Sequence, residues 1–315
     1  MKKVKNRVDF NAVRLYNDGE KSLAFNGLAE EISMRMNEVD INLGGGSLLQ
    51  VANRSPVQMM SYFIETPEGK TVVIDGGNYG EQDAEHLHEL IIERGGVVDQ
   101  WIISHAHEDH YGALSFWLER HEKLDFEIKE MYFSFPPIEW FKGVENGNAM
   151  KYLPSFLEQL ELHGIKHEEL KYKDVIECGG MSFEVLNDNE NYNEFNTIND
   201  TTIVFKARFP KRDVLFLGDL GLYGGKYLIK HFDATKLRCD VVQMAHHGQN
   251  GADKEFYEYI SPKLCLYTAP DWLWTNDAGD GFGTGPWKTL ETRRWMEELG
   301  VVASFPIAYG DYLFK

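Results

Sequence analysis

Residues 100–110 read QWIISHAHEDH, and the rest of the chain is best understood outward from them. QWIIS is a short apolar run of the kind that forms a buried strand. The next six residues hold three imidazoles and two carboxylates: His105, His107, Glu108, Asp109 and His110. Such a cluster is costly to bury and self-repelling when charged, so it persists where a cation organises it. Side chains alternate along an extended segment, so His105 and His107 point the same way and can share one metal ion. If the chain then turns into a helix, Asp109 and His110 are displaced towards a second metal. One motif thus starts two sites.

Around it, strand-like and helix-like segments alternate. Residues 70–75 (KTVVID) read as a strand ended by Gly76-Gly77. Residues 83–94 carry Ala84, Leu87, Leu90 and Ile91 at helical spacing, and Gly95-Gly96 stops that helix. Residues 112–121 predict another helix. Residues 133–147 (FSFPPIEWFKGVENG) are aromatic and proline-rich and read as a loop, followed by a helix over 154–162. Strands are predicted at 181–186, 201–207, 213–217, 240–245 and 264–267, and a helix at 288–299. With no repeat and no low-complexity linker, this predicts one α/β domain over residues 1–315, with an aromatic loop and helix insertion at about 133–163.

Composition narrows the function classes. The 315 residues are 43% hydrophobic and 26% charged, which excludes intrinsic disorder, collagen and coiled coil. No apolar run approaches the ~18–20 residues of a membrane span, so no membrane partner is expected. The basic start, MKKVKNRVDFNAVRL, lacks an apolar run and predicts no secretory leader. Lys plus Arg number 32 against 50 Asp plus Glu, a net charge of -18 that disfavours nucleic acid as a partner. Cys178, Cys239 and Cys265 are odd in number and widely spaced, which predicts reduced thiols and a cytoplasmic location. Oligomeric state is not encoded in any feature of the sequence.

The H-x-H-x-D-H pattern of residues 105–110 resembles the signature of the metallo-β-lactamase superfamily. Asp75 in VVIDGG, Asp219 in LFLGDL and His246-His247-Gly248 in VVQMAHHG follow in the order seen there. The likeness runs from about Ile41 to Phe305. The GD and HHG forms look most like the branch that includes the hydrolase domains of competence-type DNA-uptake proteins and phosphorylcholine esterases. The resemblance implies a four-layer αβ/βα sandwich with a metal site at one edge between two sheets. It implies His105 and His107 on a first metal, Asp109 and His110 on a second, Asp219 bridging both, and one histidine of the HHG pair as the last ligand. Along the strand from Asp240 successive side chains alternate, so only one of the two can face the site. His246 is the expected ligand, with His247 beside the substrate as the catalytic proton donor. Asp75 would accept a hydrogen bond that orients a ligand.

One departure stands out. Many superfamily members carry a further histidine on the first metal, and residues 187–202 here contain none. Asn199-Asp200 occupy that place, and the DNA-uptake branch has a similar Asn-rich motif; either residue would bind the metal weakly or hold substrate. An oxygen in place of nitrogen makes the first site harder and weaker. Two divalent ions are therefore expected, zinc first, with manganese or iron as alternatives.

The expected activity is hydrolysis of a small-molecule phosphodiester or related ester by hydroxide generated on the metals, with Asp109 orienting it. Lactone, thioester and amide hydrolysis suit the same metals. The competing readings are a DNA-processing nuclease and a catalytically weak metal-bound binding or sensor module. Residues 270–287 form the candidate substrate wall through Trp272 and Trp274, with Phe282 and Trp287 nearby; core or lid packing is the alternative reading for these rings. His86, His88, His121, His163, His167 and His231 lack such context and are read as structural.

Overall fold

In the computed structural model, which describes residues 37–187, 189–190 and 192–315, two sheets lie face to face with helices on both outer sides. The basic N-terminal stretch, and the leader expectation attached to it, lie outside the described residues. Across the first sheet the strands run Asn37–Val39, Tyr312–Phe314, Ser47–Gln50, Tyr62–Glu65, Thr71–Ile74, Gln100–Ile102, Met131–Phe133 and His167–Glu169. Across the second they run Val175–Cys178, Met181–Val185, Phe205–Arg208, Asp213–Phe216, Val241–Gln243, Leu264–Tyr267 and Ala303–Pro306. Thr71–Ile74 pairs parallel with Gln100–Ile102, and Asp213–Phe216 parallel with Val241–Gln243, so both site-bearing strand pairs end at the same edge as their loops.

Alternation along each strand builds the layers. Tyr62, Ile64, Val72, Ile74 and Ile102 face Phe183, Phe205, Val214, Phe216 and Val241 in the inter-sheet core. The intervening residues Phe63, Val73, Trp101 and Ile103 pack outward, in one cluster with residues of helices Glu81–Glu93, Glu108–Arg120 and Leu153–Leu162. Leu215, Val242 and Cys265 do the same on the far side with helices Leu222–His231, Lys254–Ile260 and Thr289–Glu298. Strands buried on both faces read as continuous apolar runs, which is why VVID and QWII were legible.

Several boundaries differ from the expected ones for physical reasons. The helix expected from residue 112 starts at Glu108, inside the motif. The strand expected from 201 starts at Phe205, because Ile198–Thr201 is a turn capped by Thr197 and Asp200. The 133–147 segment is not simply a loop: Phe133 ends a strand, Ile138–Phe141 is helical, and Phe141 is buried in the outer core. The strand expected over 240–245 ends at Gln243, which matters for the site. All three cysteines are free and buried. Among the described residues, no helix is long and apolar enough to cross a membrane.

Candidate metal centre

The chain leaves the strand Gln100–Ile102, stays extended to His107, and enters a helix at Glu108. Asp109 and His110 therefore occupy the first helical turn, where the helix dipole favours a carboxylate. The turn is locked against residues 75–77: the Gly76 amide donates to the His110 carbonyl, and Met60 N donates to Asp109 O at 2.9 Å. Gly112 permits this approach, since a Cβ there would lie 2.3 Å from the Tyr79 nitrogen. Asp219 follows Gly218, whose φ of 48° turns the chain at the end of Asp213–Phe216.

Six side chains converge in two groups. His105, His107 and Asp219 form one; Asp109, His110 and His247 form the other. The two oxygens of Asp219 divide between them. Its Oδ1 lies 3.2 Å from His110 Nε2 and 3.6 Å from His247 Nε2, while Oδ2 faces His105 Nε2 at 3.9 Å and His246 Nε2 at 3.7 Å.

What stands behind each ring fixes which nitrogen carries its proton. His110 Nδ1 donates to Asp75 Oδ2 at 2.8 Å. His247 Nδ1 is 3.0 Å from the Thr268 carbonyl, which can only accept. His107 Nε2 donates to Glu145 Oε2 at 2.9 Å. Ser104 Oγ donates to Asp75 at 3.0 Å and so accepts from His105 Nδ1 at 3.1 Å. In every ring the remaining lone pair points inward. His105 Nε2 and His107 Nδ1 face each other at 3.1 Å. His110 Nε2, His247 Nε2 and Asp219 Oδ1 are buried without a hydrogen-bond partner. Buried acceptors aimed at one another repel unless a cation lies between them, so these residues fit a pair of divalent ions.

The electrostatics agree. Burial works against ionisation of Asp219, yet His110, His247 and His246 hold its carboxyl well below the usual range. Asp109 is likewise depressed, with His110 and His247 outweighing burial. Burial and the neighbouring His110 push His105 well down, keeping it neutral. For His110, burial is overcome by Asp219, Asp75 and Asp109, and the ring is pushed well up. Asp219, Asp75 and Asp109 thus favour positive charge at this point of the centre, as a cation site requires.

Asp75, His105, His107, Asp109, His110 and Asp219 all lie at this one edge. The HHG pair is arranged differently from expectation. The strand stops at Gln243, and His246 and His247 sit in a turn with φ of 51° and 56°, so strand alternation does not apply. His247, fully buried, joins Asp109 and His110; His246 stands beside Asp219 Oδ2 and lines the cavity above. Asp200 is consumed by its turn, accepting from Thr197 N at 3.1 Å, while the Asn199 amide reaches His246 Nδ1 at 3.5 Å. Trp272 lines the cavity and donates to the Pro56 carbonyl at 2.9 Å. Trp274 does not: it is buried, donates to Tyr309 Oη and carries Arg293 3.8 Å from its ring centre. Phe282 is 69% exposed, and Trp287 packs on Trp272. Among the described residues, the six histidines read as structural belong to neither metal group.

Three supporting residues were not legible. Gln58 Nε2 donates to Asp109 Oδ2 at 3.0 Å and is itself held by Gln249 at 3.0 Å. Ser104 and Glu145 complete the set. A lone glutamine 51 residues from its partner, or a lone glutamate 38 residues away, leaves no local pattern; Ser104 adjoins the motif, but a serine at a strand end carries no signal of its own.

A cavity of about 340 Å³ opens over the centre. His107, Asp109, Asp219 and His246 form its floor, and Val57, Gln58, Asn78, Glu108, Asn148 and Trp272 its walls. Among the described residues it is lined by amides, imidazoles, carboxylates, Val57 and an aromatic ring, with no lysine or arginine.

Comparison with known proteins agrees with this picture. The family model described as the metallo-beta-lactamase superfamily matches residues 54–260. ComE operon protein 3 of Bacillus subtilis (strain 168) is 25% identical over 173 residues, 55% of this chain but 20% of that protein. The chain thus spans about a fifth of that relative's length. Among solved structures, the metallo-beta-lactamase fold protein YhfI from Bacillus subtilis aligns with a TM-score of 0.51 at 12% identity, over 85% of this chain and 99% of that one. CmlA, a diiron beta-hydroxylase from Streptomyces venezuelae, aligns with a TM-score of 0.52 at 14% identity, over 83% of this chain and 52% of that one. At such identities the likeness is one of fold, and activity has to be argued from the site.

Proposed function

Because the chain belongs to the metallo-beta-lactamase superfamily, we propose that it is a metal-dependent hydrolase of a small phosphodiester or related ester. The observation that carries this reading is the inward convergence of imidazole lone pairs on either side of the two Asp219 oxygens. In this reading His105 and His107 hold one divalent ion, Asp109, His110 and His247 hold the other, and Asp219 touches both. Zinc is the first choice for this nitrogen-rich set, with manganese or iron favoured at the poorer first cluster. Bound there, the ions would lower the pKa of a shared water and polarise the bond to be cut.

The chain's own residues supply orientation. Gln58 and Gln249 hold Asp109 from behind, so its carboxylate is aimed at the centre. Asp75 and Thr268 keep His110 and His247 in the tautomers that present Nε2. Burial depresses His246 and keeps it neutral, suited to hydrogen-bonding the leaving-group oxygen; it takes the role first expected of His247. Among the described residues the cavity walls carry no lysine or arginine and include Glu108, which suits a substrate whose single negative charge sits at the metals and whose other arm is neutral or cationic. A nucleic acid, with a charge on every phosphate, meets no counter-charge among those residues. A reducing cytoplasmic setting fits the three buried free thiols.

Turnover of bis(p-nitrophenyl) phosphate by the metal-loaded protein, beside linear duplex DNA and a simple lactone, tests the reading. The diester should be cleaved fastest. Faster cleavage of DNA would make the protein a nuclease, and two bound metals with no turnover of any substrate would make it a binding module.

A further inference from the structure

The first cluster has two imidazoles where the second has two imidazoles and a carboxylate of its own, yet one residue outside the motif is committed to it. Glu145 Oε2 accepts from His107 Nε2 at 2.9 Å, and Glu145 Oε1 accepts from the Ile198 amide at 2.9 Å. Its backbone is unusual. Glu145, Asn146 and Gly147 are left-handed in succession, with φ of 50°, 57° and 72°. Two of the three are not glycine, and residues with a side chain rarely adopt this conformation unless surrounding contacts over-determine it. Here the determining contacts are the His107 ring on one side and the Ile198–Thr201 turn on the other. That turn carries Asn199, whose amide faces His246.

We infer that Glu145 is the positioning residue of the first cluster, holding His107 with its Nδ1 lone pair towards His105 and fixing the Asn199 turn at a set distance from it. A carboxylate on the far nitrogen of a metal-binding imidazole fixes its tautomer and raises the basicity of the near nitrogen. This strengthens a donor set that lacks a third histidine. The inference rests on the first cluster binding a cation, as the proposed function does, and not on what reaction follows.

Stripped wild-type protein, Glu145→Gln and Glu145→Ala should be titrated with Zn(II) against a competing chelator, and with Co(II) followed by its visible spectrum. Glu145→Gln keeps the side-chain shape and one acceptor but loses the charge. It should lower affinity at the weaker of the two sites by about 10- to 100-fold, the usual effect of removing such a partner, with the tighter site unchanged. Glu145→Ala should lower it further and alter the Co(II) spectrum of that site. Melting temperatures identify any unfolded variant, and Glu145→Gln then carries the test. Folded variants with both affinities unchanged, or with both lowered equally, would overturn the assignment. Turnover is measured separately at saturating metal: a wild-type protein that binds two ions without hydrolysing anything removes the hydrolase reading and leaves Glu145 untouched.

Discussion

The two halves of the centre are built to different standards. His110 and His247 are backed by the fully buried Asp75 and Thr268, and Asp109 by the half-buried Gln58. His110 and His247 have no solvent exposure. In the other half, His105 is equally buried, but the His107 side chain is 19% exposed and is held by a glutamate from a strained turn. Two of the second half's supports, Asp75 and Thr268, directly follow strands, whereas His107 in the first half leans on a turn. The contrast teaches that affinity in such a pair follows what lies behind the ligands as much as the ligands themselves. The second cluster should bind its ion more tightly.

The largest effect should come from the residue the halves share. Asp219→Ala removes the oxygens facing both groups and should abolish both metal equivalents and all turnover, as read by metal analysis and diester hydrolysis. If one full equivalent survived, the halves would be independent and the comparison would break. Next, Asp75→Asn places an amide against the His110 Nδ1 proton. It should weaken the second cluster by about 10- to 100-fold in a chelator competition, and lower stability by about 1–3 kcal/mol in urea titration because a buried donor is left unpaired. Equal weakening of both clusters would contradict the separation.

The HHG pair sharpens the same contrast. His247→Ala should lose the second metal, whereas His246→Ala should keep both and lower kcat by roughly 10- to 100-fold, the loss of one hydrogen bond to developing charge. The reverse pattern, read as metal content per chain, would restore the strand-alternation assignment. The smallest effect is a gain: Asn199→His should tighten Zn(II) binding at the first cluster, narrowing the gap between the halves. Unchanged affinity would mean that the Ile198–Thr201 turn does not reach the ion.

What the sequence disclosed follows the same division. Residues 105–110 stood out because three imidazoles and two carboxylates crowd into six residues after an apolar run, while Asp75 and Asp219, each beside glycine, were picked out only by the family resemblance. The premise of the HHG assignment does not hold, because alternation applies only along a strand and this one stops at Gln243 before a left-handed turn. Glu145 was illegible because its partners are 38 and 53 residues away and its turn has no periodicity. The helix Leu222–His231 was hidden by Gly224-Gly225, which propensity penalises and tertiary packing tolerates: a Cβ at Gly225 would press against Ala252 at 3.2 Å.

The account turns on buried lone pairs that need cations, and the uptake of metal tests it most directly. Stripped wild-type protein titrated calorimetrically with Zn(II) should take up two equivalents per chain in two distinguishable steps. A folded chain that takes up no zinc, or binds a single equivalent with all six side chains intact, would contradict it.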